Sequence, residues 1–537
     1  MQVHDAVART LSEQGVDTLF GLMGDANMLY ITDFVSQQGG RFVPVVDERS
    51  SLLMAAAYAS ARNCVGVATV THGPALTHAM TGLVEATRGN QPVVLVTGDT
   101  PGVASHIQYI DVRAVAALAG AGYERVWSGA SAAPDAARAF RRALTERRPI
   151  VLDVPFDLLE DECGSDELAA RVELAGPHDA DEESIDAALG LALSASRPVV
   201  LAGRGAVHGG ARDTLVELAE HLGAPLATTL LARDLFRGHR LDLGVSGTVS
   251  TGVASGYLAT ADCVLAFGAS LNQWTTDRGH LLQNARVVHV DRDAARLNAH
   301  RPAEISIVGD ARAVAAQLLD HLKAAEVEPS SRSNDTLARE LAEWAPERSF
   351  TDRSGTDTID LRTAMVTLDR VLPRERNLVT DAGRSMTTPW KFVHGDDPRG
   401  FMHSVNFGSI GLGVGTAVGM AVARPDRPTV AVVGDGGFMQ GVVELSTAVR
   451  ERLPLIVVVA NDGAYGAEWV KLAEYGLNPE GSRTQWPHLA GLAEAFGARG
   501  YTARTVQDLE KLEDVFADLQ GPVLVDLVID PAASLSD

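Results

Sequence analysis

The stretch that most constrains this chain runs from Thr429 to Trp469, TVAVVGDGGFMQGVVELSTAVRERLPLIVVVANDGAYGAEW. Two apolar runs, Thr429 to Val433 and Pro454 to Ala460, are each too short for a helix and read as buried parallel strands. Between them, Val442 to Arg452 has helical spacing, with Leu445 and Val449 on one side. A strand, a turn, a helix and a second strand in this order belong to an open α/β sheet, whose ligands sit at the carboxyl ends of strands. Both strand ends here carry unusual turns, Gly434-Asp435-Gly436-Gly437 and Asn461-Asp462-Gly463-Ala464.

The chemistry of the two turns is compatible with a metal diphosphate. Glycines let the backbone approach a phosphate closely, and the free N–H groups at a helix start favour anions. Asp435 and Asp462 offer hard oxygen ligands, and a backbone carbonyl just beyond Asp462 offers a third. A magnesium ion held this way keeps positions for water and substrate phosphates. Either turn alone reads equally as an ordinary Gly/Asp turn.

The pair of turns resembles the thiamine diphosphate (ThDP) binding motif, a GDG followed at a fixed interval by NN. In that family the two metal-binding side chains stand 27 positions apart, as Asp435 and Asp462 do. The resemblance implies Mg²⁺ ligands at Asp435, Asp462 and the carbonyl of Ala464. It implies cofactor contacts from Gly434, Gly436, Gly437 and Tyr465, and from Gly383, Arg384 and Ser385 in Thr380-Asp-Ala-Gly-Arg-Ser385. The chain departs from the pattern by carrying Asn461-Asp462 in place of Asn-Asn, which adds one negative charge to the metal site.

A chain of 537 residues makes about three domains at roughly 150 residues each. It is 46% hydrophobic with 5% aromatic residues, the balance of an aliphatic α/β core. Strands are expected at 17–21, 42–46, 65–71, 92–98 and 149–154, then at 262–267 and 286–290. Others are expected at 377–380, 429–433, 455–460 and 522–529. The segments 164–184 and 323–358 are polar and read as linkers. The expected architecture is three doubly wound parallel-sheet domains, 1–163, 185–323 and 359–537, with the first and last open to a shared topology. The turn Gly203-Arg-Gly-Ala-Val-His-Gly209 hints at a dinucleotide fingerprint, but its third glycine falls one residue late, which favours structural glycines.

The formal charge of −23 argues against nucleic acid and anionic membranes as partners. No apolar run approaches the ~20 residues of a membrane span, and the N-terminus reads as an amphipathic helix, not a signal peptide. Cys64, Cys163 and Cys263 form no zinc or disulfide pattern, so a reducing cytoplasm is expected.

The resemblance extends over nearly the whole chain. The order of pyrimidine-binding, middle and diphosphate-binding domains is that of the acetolactate synthase, pyruvate decarboxylase and benzoylformate decarboxylase branch. It implies that Glu48, after the strand Phe42-Val-Pro-Val-Val, is the glutamate that activates the cofactor; read alone it is a helix-dipole glutamate. Ile410, in Gly408-Ser-Ile-Gly411, matches the wedge under the bent cofactor, with the Gly408 carbonyl and Ile410 N–H against the pyrimidine. Active sites shared between subunits, in a homodimer or homotetramer, follow from the same resemblance.

On the substrate side, Asp25 and Glu468 fall where pyruvate decarboxylase keeps active-site carboxylates. Gln108, in Ser105-His-Ile-Gln-Tyr, and His72, in Thr71-His-Gly-Pro74, resemble acetolactate synthase loops. The middle segment Leu271-Asn-Gln-Trp-Thr-Thr-Asp-Arg278 lacks the arginine-flanked acidic motif of FAD-binding acetolactate synthases, so FAD is doubtful. The implied reaction is decarboxylation of a 2-oxo acid such as pyruvate, with carboligation of the resulting enamine to a carbonyl acceptor. A non-ligating decarboxylase, an aldehyde or 2-hydroxyacyl-CoA lyase, and a degenerate ThDP-binding regulatory subunit are the alternatives.

Overall fold

The computed structural model describes residues 1–100, 105–163 and 180–533. Most of the linker expected at 164–184 therefore lies outside the described residues. Among the described residues, eighteen strands form three six-stranded sheets.

The first sheet contains β1 (Thr18–Gly21), β2 (Arg41–Pro44), β3 (Gly66–Val70), β4 (Val93–Asp99), β5 (Gly122–Arg125) and β6 (Ile150–Pro155), in the order β2-β1-β3-β4-β6-β5. The second contains β7 (Pro198–Ala202), β8 (Leu226–Thr228), β9 (Asp242–Val245), β10 (Cys263–Phe267), β11 (Arg286–Asp291) and β12 (Ile305–Val308), in the order β12-β11-β10-β7-β8-β9. The third contains β13 (Asn377–Asp381), β14 (Phe401–Ser404), β15 (Thr429–Gly434), β16 (Leu455–Asn461), β17 (Arg499–Ala503) and β18 (Val523–Val528). Its order, β14-β13-β15-β16-β18-β17, repeats that of the first sheet strand for strand. Neighbours are parallel in the first two sheets, and in the third from β13 through β17, with β14 at the edge beside β13. The expected strands are present within one or two residues of their positions.

The chain forms two compact units. One holds the first and third sheets, including Asp352–Met386 and the chain from Met402 on; the other holds the middle sheet together with Thr387–Phe401. In the first unit the sheets share one apolar core. At its centre the helix Glu48–Arg62 packs on the helix Gly413–Ala423. The first is alanine-rich and buried almost all round, and every residue of the second is buried. Helices apolar on all sides belong between layers. Their close crossing depends on Gly419: a Cβ there would stand 2.4 Å from both the Met54 Cα and its carbonyl oxygen.

The middle sheet has the strand order of a dinucleotide-binding fold, with the reversal between β7 and β10. At that crevice the turn after β7 meets the turn after β10. A Cβ at Gly203 would lie 2.1 Å from the Gly268 carbonyl oxygen, and one at Gly205 2.7 Å from the Gly268 Cα. These glycines serve backbone-to-backbone packing. Among the described residues no helix is long and apolar enough to cross a membrane.

Candidate active site

β15 and β16 lie side by side, with Gly434 paired to Ala460, so both turns leave the third sheet at the same end. Helical conformation begins at Asp435, directly after the strand, and pauses near Val442 before Glu444–Arg450. The expected helix at 442–452 thus starts earlier than its apolar spacing indicated, because the glycines of the turn are themselves its first turn.

The Asp435 carboxylate ties the two strand ends together. Its Oδ1 accepts from Gly436 N at 2.7 Å, and its Oδ2 accepts from Gly463 N and from Trp486 Nε1, both at 2.9 Å. Asp462 accepts from Ala464 N through Oδ1 and from Arg384 Nη1 through Oδ2, each at 3.1 Å. Arg384 also donates to the Asp530 and Ala533 carbonyls. Burial first, and the neighbouring Asp462 second, push the Asp435 carboxyl up to about 6. Burial also raises Asp462, against the pull of Arg384. The buried Asp435 carboxylate and the nearly buried Asp462 carboxylate disfavour ionisation beside buried Ala464, and a hard divalent cation taking their oxygens would relieve that cost.

A third strand end completes the cleft. Asp381, at the end of β13, is almost fully buried, and burial pushes its carboxyl up to about 6. It accepts from Gly411 N at 2.8 Å and Ala382 N at 2.9 Å, and from Ser404 Oγ at 3.2 Å. Through these bonds it fixes the turn carrying Ile410. One cleft is lined by Gly383, Arg384, Ser385, Ile410, Gly434, Asp435, Gly436, Gly437, Asp462, Ala464, Tyr465 and Glu468. Gly408, with φ +82°, sits in the same turn as Ile410 but outside that lining.

The remaining expected residues gather at the carboxyl ends of the first sheet. Asp25 is exposed in the turn after β1. His72, after β3, is 4% exposed, and its Nε2 pairs with Gln108 Oε1 at 2.8 Å. His106 stands edge-on to the His72 ring at 5.8 Å. Glu48 opens its helix after β2, and its Oε2 lies 3.3 Å from His78 Nδ1. None of Asp25, Glu48, His72 or Gln108 lines the cleft of the third sheet.

Three family models match this architecture segment by segment. The thiamine pyrophosphate enzyme N-terminal TPP binding domain matches residues 1–126, the central domain 185–318, and the C-terminal TPP binding domain 381–527. The chain belongs to the thiamine pyrophosphate enzymes. It is a ThDP-dependent enzyme that makes or breaks C–C bonds, of the acetolactate synthase and sulfoacetaldehyde acetyltransferase branch. It is 29% identical to a sulfoacetaldehyde acetyltransferase of Alcaligenes xylosoxydans xylosoxydans, over 97% of this chain and 91% of the relative. It is 28% identical to the acetolactate synthase isozyme 3 large subunit of Escherichia coli, over 98% and 94%. A probable acetolactate synthase large subunit of Methanocaldococcus jannaschii is 27% identical, over 100% and 93%.

In this thiamine pyrophosphate enzyme, sequence reasoning passed over several residues that hold the site. Trp486, on a loop 51 positions after Asp435, left no local signal. Glu444 stands beside apolar Leu445 and reads as a solvent-facing charge, yet it is fully buried. Its Oε1 accepts from Val46 N at 3.1 Å and Asp47 N at 3.0 Å, the residues that lead into Glu48. A charged residue inside an apolar stripe was the one available hint.

Proposed function

We propose that this enzyme decarboxylates a 2-oxo acid such as pyruvate and joins the remaining fragment to a carbonyl acceptor, using Mg²⁺ and ThDP. The observation that carries the reading is the convergence of Asp435, Asp462, Ala464 and Ile410 on one cleft at three strand ends. When bound, ThDP would supply a carbon nucleophile and an electron sink for the pair left behind when CO₂ departs. The protein's work is to bind, orient and move protons. Asp435, Asp462 and Ala464 would hold the metal, and Gly434, Gly436, Gly437, Gly383, Arg384, Ser385 and Tyr465 would surround the diphosphate. Ile410 would support the cofactor from the cleft wall, and the Gly408 carbonyl and Ile410 N–H would bind its pyrimidine. Glu48 exchanges a proton with that ring. His72 and Gln108 form one hydrogen-bonded pair that offers a polar contact to a substrate oxygen, with Asp25 and Glu468 as proton carriers.

Glu48 lies outside the cleft of its own chain, which supports a homodimer, or a homotetramer of two dimers, with each site built from two subunits. Domains 1–163, 185–323 and 359–537 are the proposed divisions. The Gly268 backbone seated on the Gly203–Gly205 turn supports a middle domain without FAD. Three free thiols are consistent with a cytoplasmic enzyme. A second reading, acetyl transfer involving sulfoacetaldehyde, is favoured by the likeness to the sulfoacetaldehyde acetyltransferase.

The test is incubation of the Mg²⁺/ThDP-loaded protein with pyruvate, longer 2-oxo acids and sulfoacetaldehyde, with products read by mass spectrometry. Ligated product from a 2-oxo acid supports the proposal. Free aldehyde alone would favour a non-ligating decarboxylase, and absence of both turnover and any cofactor adduct across the panel would overturn it.

The extra charge at position 462 has its own expected consequence. Arg384 neutralises Asp462 and occupies one of its oxygens, so the pair stands in for a neutral amide. Asp462→Asn leaves the Arg384 charge without its carboxylate counter-ion beside the proposed metal site, held only by the Asp530 and Ala533 carbonyls, and is expected to weaken Mg²⁺ binding by about tenfold. Adding Arg384→Gln to it is expected to restore most of the loss. Calorimetric titration of Mg²⁺ in the presence of ThDP measures both; additive losses would separate Arg384 from the metal ligand.

A further inference from the structure

The turn from Asn406 to Leu412 crosses between two carboxylates from different sheets. At its far end Asp381 of β13 accepts from Gly411 N. At its near end stands Glu85, on the helix Met80–Arg88 of the first sheet's layer, only 3% exposed. Glu85 Oε1 accepts from Asn406 N at 3.0 Å and Asn406 Nδ2 at 2.7 Å, and its Oε2 accepts from Phe407 N at 2.7 Å. Three residues after Glu85 on the same helix, the Arg88 guanidinium lies over the Phe407 ring at 4.6 Å. Between the two pinned ends lie Gly408, Ser409 and Ile410, with Gly408 at φ +82° and Gly411 at φ +85°. A segment rich in positive φ has little rigidity of its own. What fixes Ile410 is therefore the pair of anchors.

We propose that Glu85 is a positioning residue for the cofactor site: its carboxylate pins the backbone at 406–407 so that Ile410 is held at the cleft and Gly408 in the turn beside it. It touches neither cofactor nor substrate, and it acts from the first sheet on a turn of the third sheet in the same chain. The proposal rests on the reading of Ile410 as the support for bent ThDP. A buried carboxylate taking three N–H bonds is a strong, directional anchor, and its loss leaves buried donors unmet.

Two variants test it. Glu85→Gln keeps the shape but turns an N–H₂ toward a backbone or amide donor, losing at least one bond. Asn406→Ala removes the Nδ2 bond alone from a half-buried side chain and keeps both backbone bonds. Glu85→Gln is expected to raise the ThDP dissociation constant about tenfold, lower kcat about tenfold with little change in substrate KM, and alter the circular-dichroism bands of the bound cofactor. Asn406→Ala is expected to move the same quantities in the same direction by two- to threefold. Hydrogen exchange at amides 406–411 is expected to quicken in both variants, with or without cofactor.

Unchanged exchange in both variants overturns the anchor. Faster exchange with native ThDP affinity, kcat and dichroism makes Glu85 merely structural and overturns the positioning role. Should Glu85→Gln fail to fold, Asn406→Ala alone decides by the same criteria. If the native protein binds no ThDP, it is the reading of the site that fails, and the exchange measurement still judges the anchor.

Discussion

A Glu48→Gln enzyme is expected to lose turnover by about 10³-fold while binding ThDP within about threefold of the native protein. The expectation follows from how the residue is held. Asp47 caps the helix by accepting from Arg49 N at 2.8 Å, and Ser51 Oγ donates to the Glu48 carbonyl at 2.6 Å. Glu444 grips the two preceding amides from the third sheet. None of these bonds uses the Glu48 carboxyl, so the amide replaces it without disturbing the backbone. What is lost is a carboxyl able to take up and release a proton, on a side chain that is 13% exposed. Steady-state CO₂ release and quenching of tryptophan fluorescence, with Trp486 bonded to Asp435, read the two effects separately. A variant keeping more than about a tenth of native turnover would remove Glu48 from the proton-exchanging role.

The second large effect concerns stability. Gly419→Ala is expected to destabilise the first unit by about 2–3 kcal/mol, after allowing roughly 1 kcal/mol in favour of alanine for helix propensity. The new methyl group meets Met54 backbone at 2.4 Å, and backbone cannot rotate away as a side chain can. The two central helices must separate, loosening the layer from which both Glu48 and the Ile410 turn are presented. A control of opposite sign is Gly190→Ala, in the helix Glu182–Ser194, where a Cβ meets nothing within 4 Å. That change is expected to stabilise by about 0.5–1 kcal/mol. Thermal and urea unfolding of the two variants measure both; a Gly419→Ala protein as stable as the native one would mean the helices adjust freely.

Reading the chain before its structure worked best where strands are buried on both faces. β3, β4, β6, β13, β15, β16 and β18 are buried almost throughout and dominated by Val, Leu, Ile and Ala, with few polar interruptions such as Asp153 and Asp526, and their boundaries are legible to within one or two residues. The strands that escaped were mostly edges: β5, β9, β12, β14 and β17. An edge strand is half-solvated, as the burial of Arg499–Ala503 and Gly122–Arg125 illustrates, so its sequence carries no unbroken apolar signal. The dinucleotide-like turn at Gly203 was ambiguous for a related reason: close packing on backbone and close packing on a phosphate both select glycine.

The residues of the proposed metal site are legible in the sequence because they are local. They lie within a few positions of two strand ends, and the 27-residue interval between Asp435 and Asp462 is the length of one crossover. The chain alone therefore determined three parallel α/β layers, the two turns that face one cleft, and the acidic pair within them. Tertiary structure alone decided how these parts are held. Arg384 balances Asp462 from 78 positions away, Glu444 grips the approach to Glu48, and Glu85 grips the approach to Ile410 from 321 positions away. Such anchors have no spacing rule, because a hydrogen bond depends on where two atoms meet in space, and only the packed helices bring those carboxylates to the amides they hold.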